Sequence, residues 1–259
     1  MVYEFDGKKY EKASAFQKEW GNKLISELNL EGNENILDLG CGDGLLTANL
    51  AKLVPNGNVI GVDASEGMIE VAKEKERNNL KFLLMDINEI DLNHHQFDFI
   101  FSNATLHWIK NHNQLWANIY KLLNTNGFVR FNFAADGSSS RFIKVIKETI
   151  VSEEYRKYFS EFQWPWYMPS VDEYKNILKD FAFSELNVWC ENADRFFPDK
   201  EALHGWVNQP GIVPFLEYIP EDKKELFREI VIEQMIKETL QENGRCFETF
   251  RRINVLAKK

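Results

Sequence analysis

Residues 36–45 read ILDLGCGDGL, an apolar run that meets an aspartate and then glycines at 40, 42 and 44. A short apolar run bounded by a glycine turn reads as a buried strand. The next ten residues, LLTANLAKLV (45–54), place Leu46, Leu50 and Leu53 along one helical face. A strand handed through a tight turn into a helix leaves free N–H groups at the turn, and glycine lets a ligand approach them closely.

The same rhythm continues outward. A P-N-G turn (55–57) stops the helix, NVIGVD (58–63) forms a second strand, and SEGMIEVAKEKE (65–76) opens a helix on an N-capping serine. NLKFLLMDI (79–87) and FDFIFSNA (97–104) are the third and fourth strands; NQLWANIYKLL (113–123) is helical, and an N-T-N-G turn (124–127) leads into a fifth strand, FVRFNFAA (128–135). Strands joined through helices imply a parallel sheet covered on both faces, with right-handed crossovers.

Beyond Ala135 the pattern changes. DGSSS (136–140) is a loop, RFIKVIKETIVSEEYRKYF (141–159) is helical, FQWPWYMPS (162–170) is aromatic and broken by two prolines, and VDEYKNILKDF (171–181) resumes a helix. FSELNVWCENADRFF (183–197) reads as a sixth strand and CFETFRRINVLAKK (246–259) as the last, with mostly helical chain over 199–243 interrupted at QPGIVP (209–214). The expected fold is therefore α/β: a Rossmann-like, seven-stranded, mostly parallel sheet with helices on both faces, an antiparallel last strand and a helical cap inserted in the C-terminal half. The expected divisions are a core with an N-terminal helix over 1–135, cap helices over 136–181, and the end of the sheet over 182–259 with inserted helices at 199–243 completing the cap.

Composition narrows the partners. A length of 259 residues with 44% hydrophobic content supports a sizeable core. The net charge of −9 argues against a nucleic acid as main partner, since such proteins carry a basic face. Three cysteines at 41, 190 and 246 form no CxxC pair and suggest neither a disulfide framework nor a metal site. The charged start MVYEFDGKKYEK lacks a signal-peptide core, and no run reaches the roughly 18 apolar residues of a membrane span. A cytoplasmic protein without a membrane partner is expected, and a monomer is plausible.

At the turn itself, a dinucleotide fingerprint needs its third glycine at position 45, where this chain has Leu45. Asp38 just ahead of the turn is poorly placed beside a pyrophosphate and suits a cation such as an amino-acid ammonium. Asp63 ends the second strand, where a carboxylate can accept from both hydroxyls of a ribose. Asp86 and Ile87 end the third, where a carboxylate can accept from an adenine amine while an apolar neighbour covers the ring. Together they describe an adenosine carrying an amino acid and no phosphate, which is S-adenosyl-L-methionine.

DLGCGDG, then GVD, a D-I pair and FDFIFSNATLHW, in that order, resemble the class I S-adenosylmethionine-dependent methyltransferases over about residues 30–135. The resemblance implies that Asp38, Gly40 and Gly42 line the methionine end, with Gly44 also binding the cofactor. It also implies that Asp63 grips the ribose, that Asp86 and Ile87 hold the adenine, that Met68 covers its other face, and that Ala64 is among the cofactor-binding residues. Asn103 would turn its backbone carbonyl to the ammonium.

SNATLHWIKNH (102–112) leaves the fourth strand beside the expected methyl donor, which makes His107 and Trp108 candidates for the reacting site. His107 could be a general base, a donor to a substrate oxygen, or a packed ring. SNATLHW with LHGWVNQPGIVPFLEYIPEDKKELF (203–227) resembles the trans-aconitate methyltransferase group, whose members esterify small carboxylic acids; juvenile hormone acid and malonyl-thioester methyltransferases share parts of the pattern. The resemblance implies a small-molecule organic acid as acceptor, with Trp166, Tyr167, Arg195, His204 and Arg141 as candidate pocket residues. Three rivals stay open: methylation of a phenol, amine or carbon; cofactor binding without catalysis; and methylation of RNA or protein, against which the acidic charge and the lack of a basic extension argue. N-P-P-[FYW], a hallmark of many amino-methylating enzymes, does not follow strand four; S-N-A-T stands there.

Overall fold

The computed structural model describes residues 3–92 and 94–259, so the first two residues of the charged N-terminal stretch lie outside the described residues. Two helices, α1 (Gly7–Ala13) and α2 (Ala15–Ser26), precede the first strand. Then β1 (Asn35–Leu39), α3 (Leu45–Leu53), β2 (Asn58–Asp63), α4 (Glu66–Lys73), β3 (Leu80–Leu84), β4 (Phe97–Asn103), α5 (His112–Leu122) and β5 (Leu123–Ala134) follow. Alternation along β1 explains the layering. Leu37 and Leu39 pack in one core with Leu115, Trp116 and Ile119 of α5, whereas Ile36 packs in another with residues of α2, α3 and α4. Successive strand residues point to opposite faces, so one apolar run feeds two cores.

After β5 come α6 (Ser140–Ile150), α7 (Val171–Leu178), β6 (Glu185–Asn192), β7 (Arg195–Phe197), α8 (Lys200–Trp206), α9 (Val213–Leu216), α10 (Glu221–Thr239), β8 (Cys246–Glu248) and β9 (Arg251–Lys258). The seven-stranded sheet has the order β3-β2-β1-β4-β5-β9-β6, with β9 antiparallel to β5. Strand order reverses beside β1, which puts the ligand crevice of an open α/β sheet at the carboxyl ends of β1, β2 and β4.

Three local expectations differ from the structure. Residues 124–127 extend β5 rather than forming a free turn; Leu123 pairs with Phe97, and a register shift before Phe99 absorbs Asn126 at φ 66°. The sixth and last strands each break in two. Asp194 accepts from Phe250 N at 2.9 Å and pairs with Arg251, a bend that turns β7 and β8 into a separate two-stranded ribbon. The helix after residue 140 ends at Ile150 and continues as turns, with a short 3-10 helix over Arg156–Tyr158.

Contacts divide the chain into two compact units. The first, 1–135 with 166–191 and 252–259, contains most of the large sheet. The second, 136–165 with 192–251, contains α6, α8, α9, α10 and the β7–β8 ribbon. Among the described residues, no helix is long and apolar enough to cross a membrane.

Candidate functional site

The glycine turn is pinned from two sides. Gly40 N and Cys41 N both donate to Val62 O, at 2.8 and 3.0 Å, so the turn hangs on the end of β2. Its glycines serve different ends. A Cβ on Gly40 would stand 2.1 Å from Thr105 Cγ2 and one on Gly44 would stand 2.7 Å from the Phe82 ring, so these two are required for packing. A Cβ on Gly42 would meet only Tyr10 Cε1, at 4.0 Å. Gly42 is thus the position where the turn offers bare backbone to a ligand.

Acidic side chains surround that position. Asp38 of β1 is buried and accepts from Thr47 Oγ1 at 2.7 Å. Burial pushes its carboxyl up to about 7, against the Thr47 hydrogen bond and with the help of the Asp63 charge. Asp63 ends β2, where its Oδ2 accepts from Gly42 N at 2.9 Å and its Oδ1 from Ser65 N at 3.0 Å. Burial raises its pKa and the backbone donors at Ser65, Gly42 and Ala64 oppose the rise. Asp43 pairs with Lys18 at 2.8 Å.

The N-terminal segment reaches the same place. Glu4 Oε1 accepts from Ser65 Oγ and from Gly67 N, both at 2.8 Å, and Glu4 Oε2 accepts from Glu66 N at 3.1 Å. A carboxylate on the first N–H groups of α4 satisfies orphan donors and suits the helix dipole. Ser65 is also the true N-cap, accepting from Met68 N at 3.3 Å. Tyr10 of α1 lies nearest Gly42, its hydroxyl held protonated by burial and by the charges of Asp43 and Asp63.

The other expected adenosine contacts are placed as follows. Asp86 caps the 3-10 turn Ile87–Glu89, its Oδ1 accepting from Asn88 N at 2.8 Å. Ile87 is buried in the core shared with α5, Met68 is buried in α4, and Ala64 is half-buried at the end of β2. Asn103 ends β4 and is buried; its Nδ2 donates to Gln17 O at 2.9 Å while its Oδ1 has no protein partner. Next to it Ala104 holds φ 59°, a left-handed conformation that costs a non-glycine residue about 1–2 kcal/mol. Thr105 then donates to Gly40 O at 3.1 Å, closing the turn onto β4.

His107 and Trp108 lie in the 3-10 turn that follows. His107 O accepts from Tyr167 N at 2.8 Å, and its Nδ1 is buried without a protein partner. Burial lowers its pKa to about 3, helped by the charges of Arg252 and His112, so the ring is neutral at pH 7. Trp108 sits among Tyr3, Phe5, His107 and Trp166, with ring centroids 5.4, 5.9, 5.3 and 5.7 Å away. His112 is structural: its Nε2 donates to Leu106 O at 3.0 Å, leaving Nδ1 to accept from Tyr174 OH at 2.9 Å.

The structure therefore brings Trp166 and Tyr167 to His107 and Trp108. Arg195, His204 and Arg141 belong to the second unit. There Arg195 begins β7, His204 Nε2 meets Asn208 Nδ2 at 3.0 Å, and the Arg141 guanidinium lies over the Phe247 ring at 4.7 Å. Phe162 and Trp164 pack against Phe215 in that unit, as core aromatics do.

Sequence reasoning missed Tyr10, Glu4, Thr105 and a buried polar ladder on β5 and β9. Only the ladder left a readable trace: RFNF (130–133) and RINV (252–255) share an R-x-N alternation. An alternation of polar and apolar residues in strands next to the sheet centre signals a buried polar face.

The residues present fit S-adenosylmethionine on chemical grounds. Asp63 accepts from Gly42 N, the charges of Asp38 and Glu4 reach Asp63, those of Asp43 and Asp63 reach Tyr10, and Asn103 Oδ1 is a buried acceptor without a protein partner. Such a set favours a cationic, hydroxyl-rich ligand over a phosphate.

Comparison with known proteins agrees. The family described as "Methyltransferase domain" matches residues 37–131. The chain is 28% identical over 262 residues to an uncharacterized methyltransferase of Schizosaccharomyces pombe, covering 98% of each. It is 28% identical over 239 residues to a trans-aconitate 2-methyltransferase of Shigella flexneri, covering 92% of this chain and 91% of the relative. Among solved structures, it is similar to phosphoethanolamine N-methyltransferase 2 of Haemonchus contortus bound to phosphomonomethylethanolamine and S-adenosylhomocysteine. That likeness has a TM-score of 0.62 at 21% identity and covers 98% of this chain but 56% of the other. A YcgJ protein from Bacillus subtilis gives a TM-score of 0.62 at 15% identity.

Proposed function

We propose that this chain, an S-adenosylmethionine-dependent methyltransferase, takes the carboxylate of a small organic acid as its acceptor. The observation that carries the reading is His107, a ring of the candidate reacting site whose Nδ1 is buried without a protein partner and whose pKa burial lowers to about 3, which leaves it a weak base. A carboxylic acid, with an ordinary pKa near ~4, is already anionic at neutral pH and needs no base. A phenol or an ammonium would have to lose a proton first. The similarity to trans-aconitate 2-methyltransferases over 92% of the chain supports the same acceptor class.

Bound S-adenosylmethionine supplies a methyl group activated on a sulfonium. Asp63 is the residue to accept from ribose hydroxyls, since the backbone donors at Gly42, Ser65 and Ala64 use only part of its acceptor capacity. Asp38 and Asn103 would supply acceptors for an ammonium, Ala64 would meet the cofactor beside Asp63, and Asp86, Ile87 and Met68 would hold the adenine. Gly42 lets the backbone approach closely, with Gly40 and Gly44 shaping the turn. Tyr10 and Trp108, with Tyr3, Phe5 and Trp166 around the indole, exclude water, so that the acceptor's attack is favoured over hydration. Neutral His107 orients an acceptor oxygen or packs beside it without taking a proton. Tyr167, whose N donates to His107 O, is a candidate acceptor contact.

The test is a labelled-methyl assay with purified protein and a panel of small mono-, di- and tricarboxylic acids and acyl thioesters. Base-labile label in a methyl ester is the expected product. Label that is entirely base-stable would overturn the acceptor class and favour a phenol, amine or carbon.

A further inference from the structure

The face of β5 and β9 opposite the apolar core carries a buried polar ladder. Arg130 and Asn132 of β5 lie across from Asn254 and Arg252 of β9, where Asn132 pairs with Asn254 and Ala134 with Arg252 in register. Asn254 Oδ1 accepts from Arg130 Nη1 at 2.9 Å and from Asn132 Nδ2 at 2.8 Å. Asn132 Oδ1 in turn accepts from Arg252 Nε at 2.7 Å, and Asn132 O accepts from Arg252 Nη2 at 3.1 Å. Two guanidiniums thus stand at the ends of a chain of two asparagines.

The ends are not equivalent. Arg130, 5% exposed, forms an ion pair with Glu27 at 3.0 Å. Arg252, 3% exposed, has no carboxylate within ion-pair distance among the described residues. Its surroundings include the Trp20 ring, 4.4 Å from the guanidinium carbon, Tyr10 and His107, which feel its charge, and Glu191, whose charge acts on it from beyond ion-pair distance while its carboxylate pairs with Lys23. A buried charge is ordinarily paired, because removing it from water costs several kcal/mol. Arg252 is opposite the last residue of β5, at the strand end where the glycine turn and His107 lie. Its charge reaches both Tyr10, beside Gly42, and His107 of the candidate reacting site.

We propose that Arg252 binds a carboxylate of the methyl acceptor, completing at this end of the ladder the ion pair that Glu27 provides at the other. The ladder fixes the guanidinium plane through Nε and Nη2 and leaves Nη1 to the ligand. Methyl transfer from a sulfonium to a carboxylate removes both charges, so a cation on the attacking oxygen would hold back the reaction. Arg252 therefore grips a carboxylate that does not react, and an acceptor with at least two carboxylates follows. This rests on the proposed acid acceptor, but the grip itself is separable from the identity of the methylated atom.

The experiment loads full-length protein with S-adenosylhomocysteine and titrates succinate, with dimethyl succinate as neutral control, while following arginine Nε–H resonances by NMR. Arg252→Lys identifies the resonance, and Arg252→Gln is the binding variant. A saturable shift of the Arg252 signal by succinate alone is expected, with at least tenfold weaker succinate binding in Arg252→Gln and unchanged S-adenosylhomocysteine affinity. Absence of a saturable shift in the wild type overturns the proposal, and this arm stands even if Arg252→Gln fails to fold. Loss of S-adenosylhomocysteine affinity with intact succinate binding also overturns it, assigning the guanidinium to the cofactor's own carboxylate. Base-stable methyl label together with an intact succinate site would sink the proposed ester chemistry while leaving the Arg252 grip in place.

Discussion

Asp63 Oδ2 accepts from Gly42 N at 2.9 Å, tying the end of β2 to the one glycine of the turn that has open space beside it. The carboxylate that the ribose reading requires is the same group that sets the turn's backbone. Asp63→Ala should therefore do two things at once. It should weaken S-adenosylhomocysteine binding at least tenfold, and cost about 1–3 kcal/mol of stability by orphaning buried N–H groups. Calorimetric titration and thermal melting read the two separately; unchanged affinity would remove Asp63 from the cofactor site.

Asp38 gives a pH dependence with a definite sign. Its folded pKa is raised to about 7, so the folded ligand-free protein holds a proton that the unfolded chain releases near the ordinary carboxylate value. Its contribution favours folding at low pH and is lost as pH rises from that value through about 7. A cationic ligand favours the ionised form, so cofactor affinity should rise by up to about tenfold per pH unit below 7 and level off above it. Asp38→Asn should flatten that slope and raise the melting temperature at pH 8 but not at pH 4. A wild-type affinity flat from pH 5.5 to 7.5 would refute the assignment.

His107 should leave no mark on the activity profile. With a pKa of about 3, it does not titrate between pH 5 and 8, and a carboxylate acceptor asks no proton of it. His107→Gln is expected to retain turnover within about fivefold at pH 7, since general-base loss would cost roughly 10²–10⁴. A fall of that larger size in kcat would restore the base role.

Gly40 is set by Thr105. A methyl group on residue 40 would collide with Thr105 at 2.1 Å while holding φ 76°. Gly40→Ala should destabilise the fold by about 2–4 kcal/mol, adding overpacking to the left-handed backbone cost. Thr105→Ala removes the two nearest colliding atoms, Cγ2 and Oγ1, and leaves Cβ at 2.5 Å, so the double variant should recover only part of that loss in a double-mutant cycle. Simple additivity would show that the collision is relieved elsewhere.

The amino-acid sequence by itself determined the order of strands and helices through residue 135 and the glycine turn with its acidic strand ends. Hydrophobic period and turn chemistry are local properties, and each strand end follows its own apolar run within a few residues. Where a side chain some way off set the geometry, local pattern failed. Asp194 and Arg251 broke two expected strands, and a register shift against β4 drew residues 124–127 into β5. The tertiary structure alone brought Glu4 to the start of α4, Tyr10 to Gly42, and Trp166 to Trp108. It alone distinguished Arg252 from Arg130, although both stand in the same R-x-N pattern. What separates them is a carboxylate on α2 that reaches one end of the ladder and not the other. Burial and charge pairing depend on the packing of the whole chain, and no local pattern carries them.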